Sequence, residues 1–169
     1  TSLGITTIAT ACFSGLDSFP LLAVPFFILA GNLMKFGGLS NKILEFADAL
    51  VGHIKGSLGM VAVVASMFFA ALSGSSPATV SAIGSLTIPK MEEEGYDRAY
   101  STALNAAAGT IGVIIPPSIP FVIYGVVANA SIADMFKAGI LPGLMIGVVL
   151  MIVNYIAVTK NGYGMKNQA

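Results

Sequence analysis

Two clusters of serine, threonine, glycine and proline stand in otherwise apolar sequence. The first is Ser73-Gly74-Ser75-Ser76-Pro77, and the second runs from Gly109 to Pro120 and contains Thr110, Gly112, Val113, Pro116, Pro117 and Ser118. A proline inside a helix removes the hydrogen bond to the carbonyl four residues back. Pro77 is therefore expected to free the carbonyl of Ser73, and Pro116, Pro117 and Pro120 those of Gly112, Val113 and Pro116. With the hydroxyls of Ser73, Ser75, Ser76, Thr110 and Ser118, these oxygens make a set of hard, neutral ligands suited to a small hard cation. Neither cluster holds a carboxylate, which points to Na⁺ more than to Ca²⁺. Half-helices that start after each break present positive dipole ends, suited to an anionic substrate. The same residues also act as plain packing devices in transmembrane helices, with serines bonded back to their own helix. Two breaks in adjacent uncharged segments favour the site over the packing device.

Other candidates carry less. Cys12 is the only cysteine, so neither an internal disulfide nor a multi-cysteine metal site can form. Ser75 with His53 would make an intramembrane hydrolase only if nucleophile and base came within hydrogen-bond reach, and nothing in their spacing brings them there. His53 beside Lys55 reads as an interfacial residue, and Glu92-Glu93-Glu94 as a solvated charge run. Phe68-Phe69, Met60 and Met67 read as packing, and Gly143-x-x-x-Gly147 as a weak signal for close helix contact.

The elements that must position these clusters belong to a membrane protein. Hydrophobic residues make up 56% of the chain and charged residues 9%. Soluble domains carry about 25% charged residues, so too little charge is present for a water-facing surface. The net charge is zero, which leaves no basic face for nucleic acid. Residues 19–36 are expected to form a span, with Pro20 and Pro25 near its start, where proline is tolerated. Gly37-Gly38 ends it, and Ser40 and Asn41 are candidate caps for an amphipathic helix over 40–56. On that helix Ile43, Leu44, Phe46, Ala47, Leu50, Val51 and Ile54 share one side, opposite Lys42, Glu45, Asp48 and His53. Residues 57–90 carry no ionisable group before Lys90, and each arm around the Ser73–Pro77 cluster falls short of the roughly 20 residues a span needs. A re-entrant hairpin fits better than a through-going helix. Residues 96–130 read as a helix broken at the second cluster, Asp134 and Lys137 as a short polar connection, and 139–160 as a final span.

A hairpin entering from the cytoplasm places Lys35, Lys42, Lys55, Lys90, Arg98, Lys160 and Lys166 on the cytoplasmic side, and Lys137 alone outside. The opening Thr1-Ser2-Leu3-Gly4-Ile5 has neither an initiator Met nor the basic start of a signal peptide, so a piece of a longer protein is expected.

Three stretches resemble one family closely: LLAVPFFILAGNLM (21–34), SMFFAALSGSSPATVSAIGSLTIP (66–89) and GYDRAYSTALNAAAGTIGVIIPPSIPFVIYG (95–125). It is the DctM-like large permease subunit of tripartite ATP-independent periplasmic (TRAP) transporters. The resemblance implies an all-α integral membrane permease of elevator type, built from inverted repeats, in the inner membrane of bacteria or archaea. It implies a smaller membrane subunit and a periplasmic substrate-binding protein as partners, and sodium-driven uptake of organic acids such as C4-dicarboxylates or sialic acid, without catalysis or ATP. It also places one sodium and part of the substrate at the first hairpin tip, here Ser73, Gly74, Ser75 and Ser76. The adjacent break would contribute Gly109, Thr110, Gly112, Val113, Pro116, Pro117 and Ser118, and the helix at 40–56 would be an arm bracing the moving domain. Family members are more than twice this long, so the chain is expected to hold the first repeat only, with half of the substrate site and a second sodium site elsewhere. The alternative class is a channel-like or non-transporting membrane scaffold whose breaks are packing alone.

Overall fold

A computed structural model describes residues 4–163, and among these there are helices and turns but no strand. Lys166 lies outside the described residues. The chain opens with α1 (Ile5–Leu16), a 3₁₀ turn over Phe19–Leu22 and α2 (Ala23–Phe36). Next come α3 (Leu39–Val51), the hairpin of α4 (Ser57–Ser73) and α5 (Ser76–Glu93), and then α6 (Arg98–Gly109). A second 3₁₀ turn over Thr110–Val113, an irregular passage, α7 (Ile119–Ala128) and α8 (Ile132–Asn161) complete it.

The organising element is α4, which is apolar all round and buried almost all round, as a central helix should be. On one side Val61, Val64, Ala65 and Phe69 pack with Ile43, Leu44 and Ala47 of α3 and Ala82 and Ile83 of α5. On the other, Val63 joins Met91, Tyr96, Leu104 and Ala108 with Val158 of α8. The outward faces of α1, α2, α7 and α8 leave Ile5, Phe13, Phe26, Leu33, Val127, Leu141 and Met145 exposed. That much apolar surface is costly in water and calls for lipid or further protein. Among the described residues only α8, with 30 residues, is long and apolar enough to cross a membrane unaided. The α1–α2 pair, bent by 67°, could count as a second span.

The ends of these helices follow from local chemistry. Left-handed Gly56 and Gly74 bracket α4, because only glycine takes that conformation without a Cβ penalty. Ser75 stands at the N-cap position of α5 in extended conformation without a side-chain capping bond, and Pro77 falls in the first turn, where its missing N–H costs nothing. Asp97 accepts from the Tyr100 amide over 2.9 Å to start α6.

Three expectations differ from what is found. Gly38, left-handed, precedes α3, so Ser40 lies inside that helix, buried, and its hydroxyl caps nothing. The helix stops at Val51, short of residue 56, because Gly52 and left-handed Gly56 interrupt it. On its apolar side Phe46 and Leu50 remain exposed, Phe46 meeting Phe68 edge-on at 5.2 Å, as on a helix that faces lipid or another bundle. Asp134 and Lys137 do not form a connection. Ser131 accepts from the Asp134 amide, Asp134 pairs with Lys137 at 3.0 Å, and α8 therefore starts at Ile132 with Pro142 in its interior.

Candidate functional site

The two clusters found in the sequence lie against each other. The hairpin turns over Gly74 and Ser75, and the Gly74 carbonyl accepts a hydrogen bond from the Ile119 amide, the first residue of α7, at 3.2 Å. A Cβ added at Gly74 would stand 2.6 Å from the Pro117 carbonyl, so the fit needs glycine for space as well as for its φ of +61°. Farther along the seam, a Cβ on Gly112 would lie 2.9 Å from the Thr79 hydroxyl oxygen and 3.0 Å from the Ser75 carbonyl. One on Gly109 would run into the Val80 side chain. The first turn of α5 thus lies flat on the break, glycine against hydroxyl and carbonyl. Gly31 of α2 closes the tip from a third direction, with room for only ordinary contact against the Ser73 side chain.

The prolines do not kink a continuous helix. Pro77 and Pro120 stand in the first turns of α5 and α7, and Pro116 and Pro117, joined by a cis peptide, lie in the irregular passage between helices. The chain is re-initiated at each cluster, which brings the N-termini of α5 and α7 together at the seam. Their positive dipole ends converge there. No Asp, Glu, Lys, Arg or His occurs over 57–89 or 99–133, so these dipoles and the neutral oxygens set the local field.

The other expected residues distribute unevenly. Ser73 is buried, and Ser75 and Ser76 are half-buried at the start of α5. Ser118 is fully buried; its hydroxyl donates to the Val113 carbonyl at 2.7 Å and accepts from the Phe121 amide. The Val113 carbonyl is therefore already engaged. Pro116 and Pro117 are half-buried in the seam. Thr110 is not brought to it: the side chain is exposed and its hydroxyl bonds back to the Ala107 carbonyl at 2.7 Å.

Two parts of the arrangement escaped the sequence. Thr79, fully buried, bonds to the Ser75 carbonyl at 2.9 Å and meets the Ser73 hydroxyl at 3.2 Å; its place one turn beyond Ser75 was the available signal. At the opposite, open end of the hairpin, Asn154 of α8 is fully buried, donates to the Gly56 carbonyl and accepts from the Tyr100 hydroxyl, both at 3.1 Å. A lone Asn within the uncharged run of α8 could have marked it, because a polar group at that depth needs partners.

The family model described as "Tripartite ATP-independent periplasmic transporter, DctM component" matches residues 2–169. The isethionate TRAP transporter permease protein DctMQ of Oleidesulfovibrio alaskensis is 52% identical over 96% of the chain, which covers 26% of that protein. The C4-dicarboxylate TRAP transporter large permease protein DctM of Pseudomonas aeruginosa is 46% identical over 90% of the chain and 36% of its own length. The sialic acid TRAP transporter large permease protein SiaM of Vibrio cholerae is 46% identical over 96% of the chain and 38% of its own length. The chain thus spans between about a quarter and two fifths of the relatives it matches.

Proposed function

The chain belongs to the DctM-component family of tripartite ATP-independent periplasmic transporters, and from that premise we propose that it carries the first ion- and substrate-binding half of a sodium-coupled organic-acid permease. The observation that carries this reading is the convergence of tip and break: Gly74 bonds to the start of α7, while Gly112 lies on the Ser75 carbonyl and the Thr79 hydroxyl. Neutral hydroxyl and carbonyl oxygens at one point of an uncharged helical body suit an alkali cation, which needs hard ligands but little counter-charge. The converging N-termini of α5 and α7 suit a carboxylate or other oxyanion beside it.

In this proposal the α4–α5 hairpin is re-entrant, and Na⁺ binds at Ser73, Gly74, Ser75 and Ser76 with the break over Gly109–Ser118. Binding closes the tip on the break and loads the substrate, and an elevator movement of this body against the α3 arm carries both across the inner membrane. The substrate is an organic acid of the kind named for the relatives: a C4-dicarboxylate, sialic acid or isethionate. A small permease subunit and a periplasmic binding protein complete the system, consistent with the relative named DctMQ.

Sodium-dependent uptake by the full-length protein tests the assignment. The double variant Ser76→Ala with Gly112→Ala is expected to abolish the dependence of uptake on sodium, because the added methyl enters the seam at the Ser75 carbonyl. Unchanged sodium dependence in that variant would place the site elsewhere. Uptake by wild type that ignores sodium altogether would favour a channel-like permease whose breaks are packing.

A further inference from the structure

Thr79 takes part in more than a helical back-bond. Threonine hydroxyls often bond to the carbonyl one turn earlier, and Thr79 does so with Ser75 at 2.9 Å. Two further features set it apart. Its oxygen lies 3.2 Å from the hydroxyl oxygen of Ser73, which belongs to the other arm of the hairpin. The Ser73 oxygen in turn lies 3.4 Å from the Ser75 carbonyl. Three neutral oxygens therefore form a closed triangle with edges of 2.9, 3.2 and 3.4 Å. Oxygen ligands at right angles about 2.0–2.6 Å from a small hard cation stand roughly 2.8–3.7 Å apart, a range that contains all three edges.

The surroundings of the triangle also fit. Ser73 and Thr79 are buried, and the segment offers no carboxylate. Gly112 of the break faces two of the three corners, where any Cβ would press on them. The Ser73 and Thr79 hydroxyls hold two protons between them, and either can donate across their shared contact. A cation at these oxygens would turn both protons outward and replace the hydroxyl bonds by coordination, while the Ser75 carbonyl keeps its bond from the Thr79 amide at 3.1 Å.

We infer that Thr79 is a cation ligand, supplying the third oxygen of a binding face whose other corners are the Ser73 hydroxyl and the Ser75 carbonyl. The inference rests on the sodium reading of the seam and adds to it a residue outside both sequence clusters. The α5 helix then contributes both to the tip and to the ion, so occupancy is communicated directly to the helix that touches Gly109 and Gly112.

The test is thermal unfolding of the purified full-length protein over a range of NaCl concentrations, with choline chloride holding ionic strength constant. The readout is the sodium concentration at half-maximal stabilisation. Thr79→Val keeps the shape and removes the oxygen, and is expected to raise that midpoint at least tenfold. Thr79→Ser keeps the oxygen and is expected to stay within threefold of wild type. Thr79→Cys keeps a donor to the Ser75 carbonyl but puts a soft sulfur in place of the hard oxygen, and is expected to behave like valine; it decides the matter should valine not fold. A valine or cysteine variant that loses stability equally at all sodium concentrations, with its midpoint unmoved, overturns the inference. If Ser73→Ala moves the midpoint while those variants do not, only Thr79 is excluded. If wild type shows no sodium stabilisation at all, the reading of the seam falls with it.

Discussion

At its closed end the α4–α5 hairpin meets the start of α7 through the Gly74 carbonyl and the Ile119 amide, and is closed on itself by the Ser75–Thr79 and Ser73–Thr79 contacts. At its open end it is held by side chains from distant parts of the sequence. Asn154 joins α8 to the Gly56 carbonyl and to Tyr100 of α6, while the rings of Tyr96, Tyr100 and Tyr163 lie together with centroids 5.3–6.4 Å apart. The closed end uses small residues and local bonds, the ones that the proposed ion would replace. The open end uses large residues whose partners have no substitute. This division of labour suits a body that must respond at one end and keep its shape at the other.

Gly74→Ala is expected to have the largest effect at the closed end. Left-handed backbone strain and a Cβ pressed on the Pro117 carbonyl each cost about 1–3 kcal/mol. The seam is expected to part, with loss of sodium-dependent uptake and of sodium-dependent thermal stabilisation in the full-length protein. Alanine tolerated at Gly74 with normal sodium stabilisation would show that the tip need not touch the break.

Asn154→Leu tests the other end. It leaves the half-buried Tyr100 hydroxyl and Gly56 carbonyl without their partner, at about 1 kcal/mol each. The contrast requires that this loss appear as a lower melting temperature with the sodium midpoint unchanged. A shifted midpoint would mean that the two ends are not separable.

The two ends also differ in how far the sequence reveals them. Breaks in the backbone are written locally, because proline, glycine and serine change what a few consecutive residues can do; the Ser73–Pro77 and Gly109–Ser118 clusters were visible for that reason. Direction is not written locally. Thr110 belongs to the right cluster and points outward, whereas Thr79, in an ordinary-looking helical stretch, completes the contact. Asn154 stands out in its uncharged run, but its partners Gly56 and Tyr100 are remote residues whose proximity only tertiary packing creates. Ser40 shows the converse: a good capping residue is passed over when Gly38 can enter the left-handed region and begin the helix first.

Tyr163→Ala removes one ring from the open end while leaving the Asn154 bonds in place. Stacked aromatic pairs contribute about 0.5–1.5 kcal/mol beyond the area they bury, so a smaller fall in melting temperature than for Asn154→Leu is expected, again with the sodium response intact. A fall as large as that of Asn154→Leu would assign the rigidity of this end to the rings and not to the amide.

The smallest effect concerns charge just beyond the open end. A cleft of about 780 Å³ separates α3 from the hairpin base, with Glu45 and Asp48 on one wall and Lys90, Glu93 and Glu94 on the other. Partial burial, and then the Asp48 charge, raise the Glu94 carboxyl above its ordinary 4.5. An acid whose pKa is raised on folding binds its proton more tightly in the folded state. Glu94 therefore favours the fold below the ordinary carboxyl range, and that contribution is lost as pH rises through the raised value. Glu94→Gln removes the ionised form and its repulsion from Asp48, so it is expected to raise the melting temperature slightly near neutral pH. The gain should vanish in acid, where the wild-type carboxyl is protonated too. Asp48→Asn should reproduce part of the gain, because burial, the larger cause, remains. A lower melting temperature for Glu94→Gln near neutral pH would show that Glu94 holds the cleft together through Lys90 or Arg98 instead of straining it, and the open end would then depend on charge as well as on its buried amide and rings.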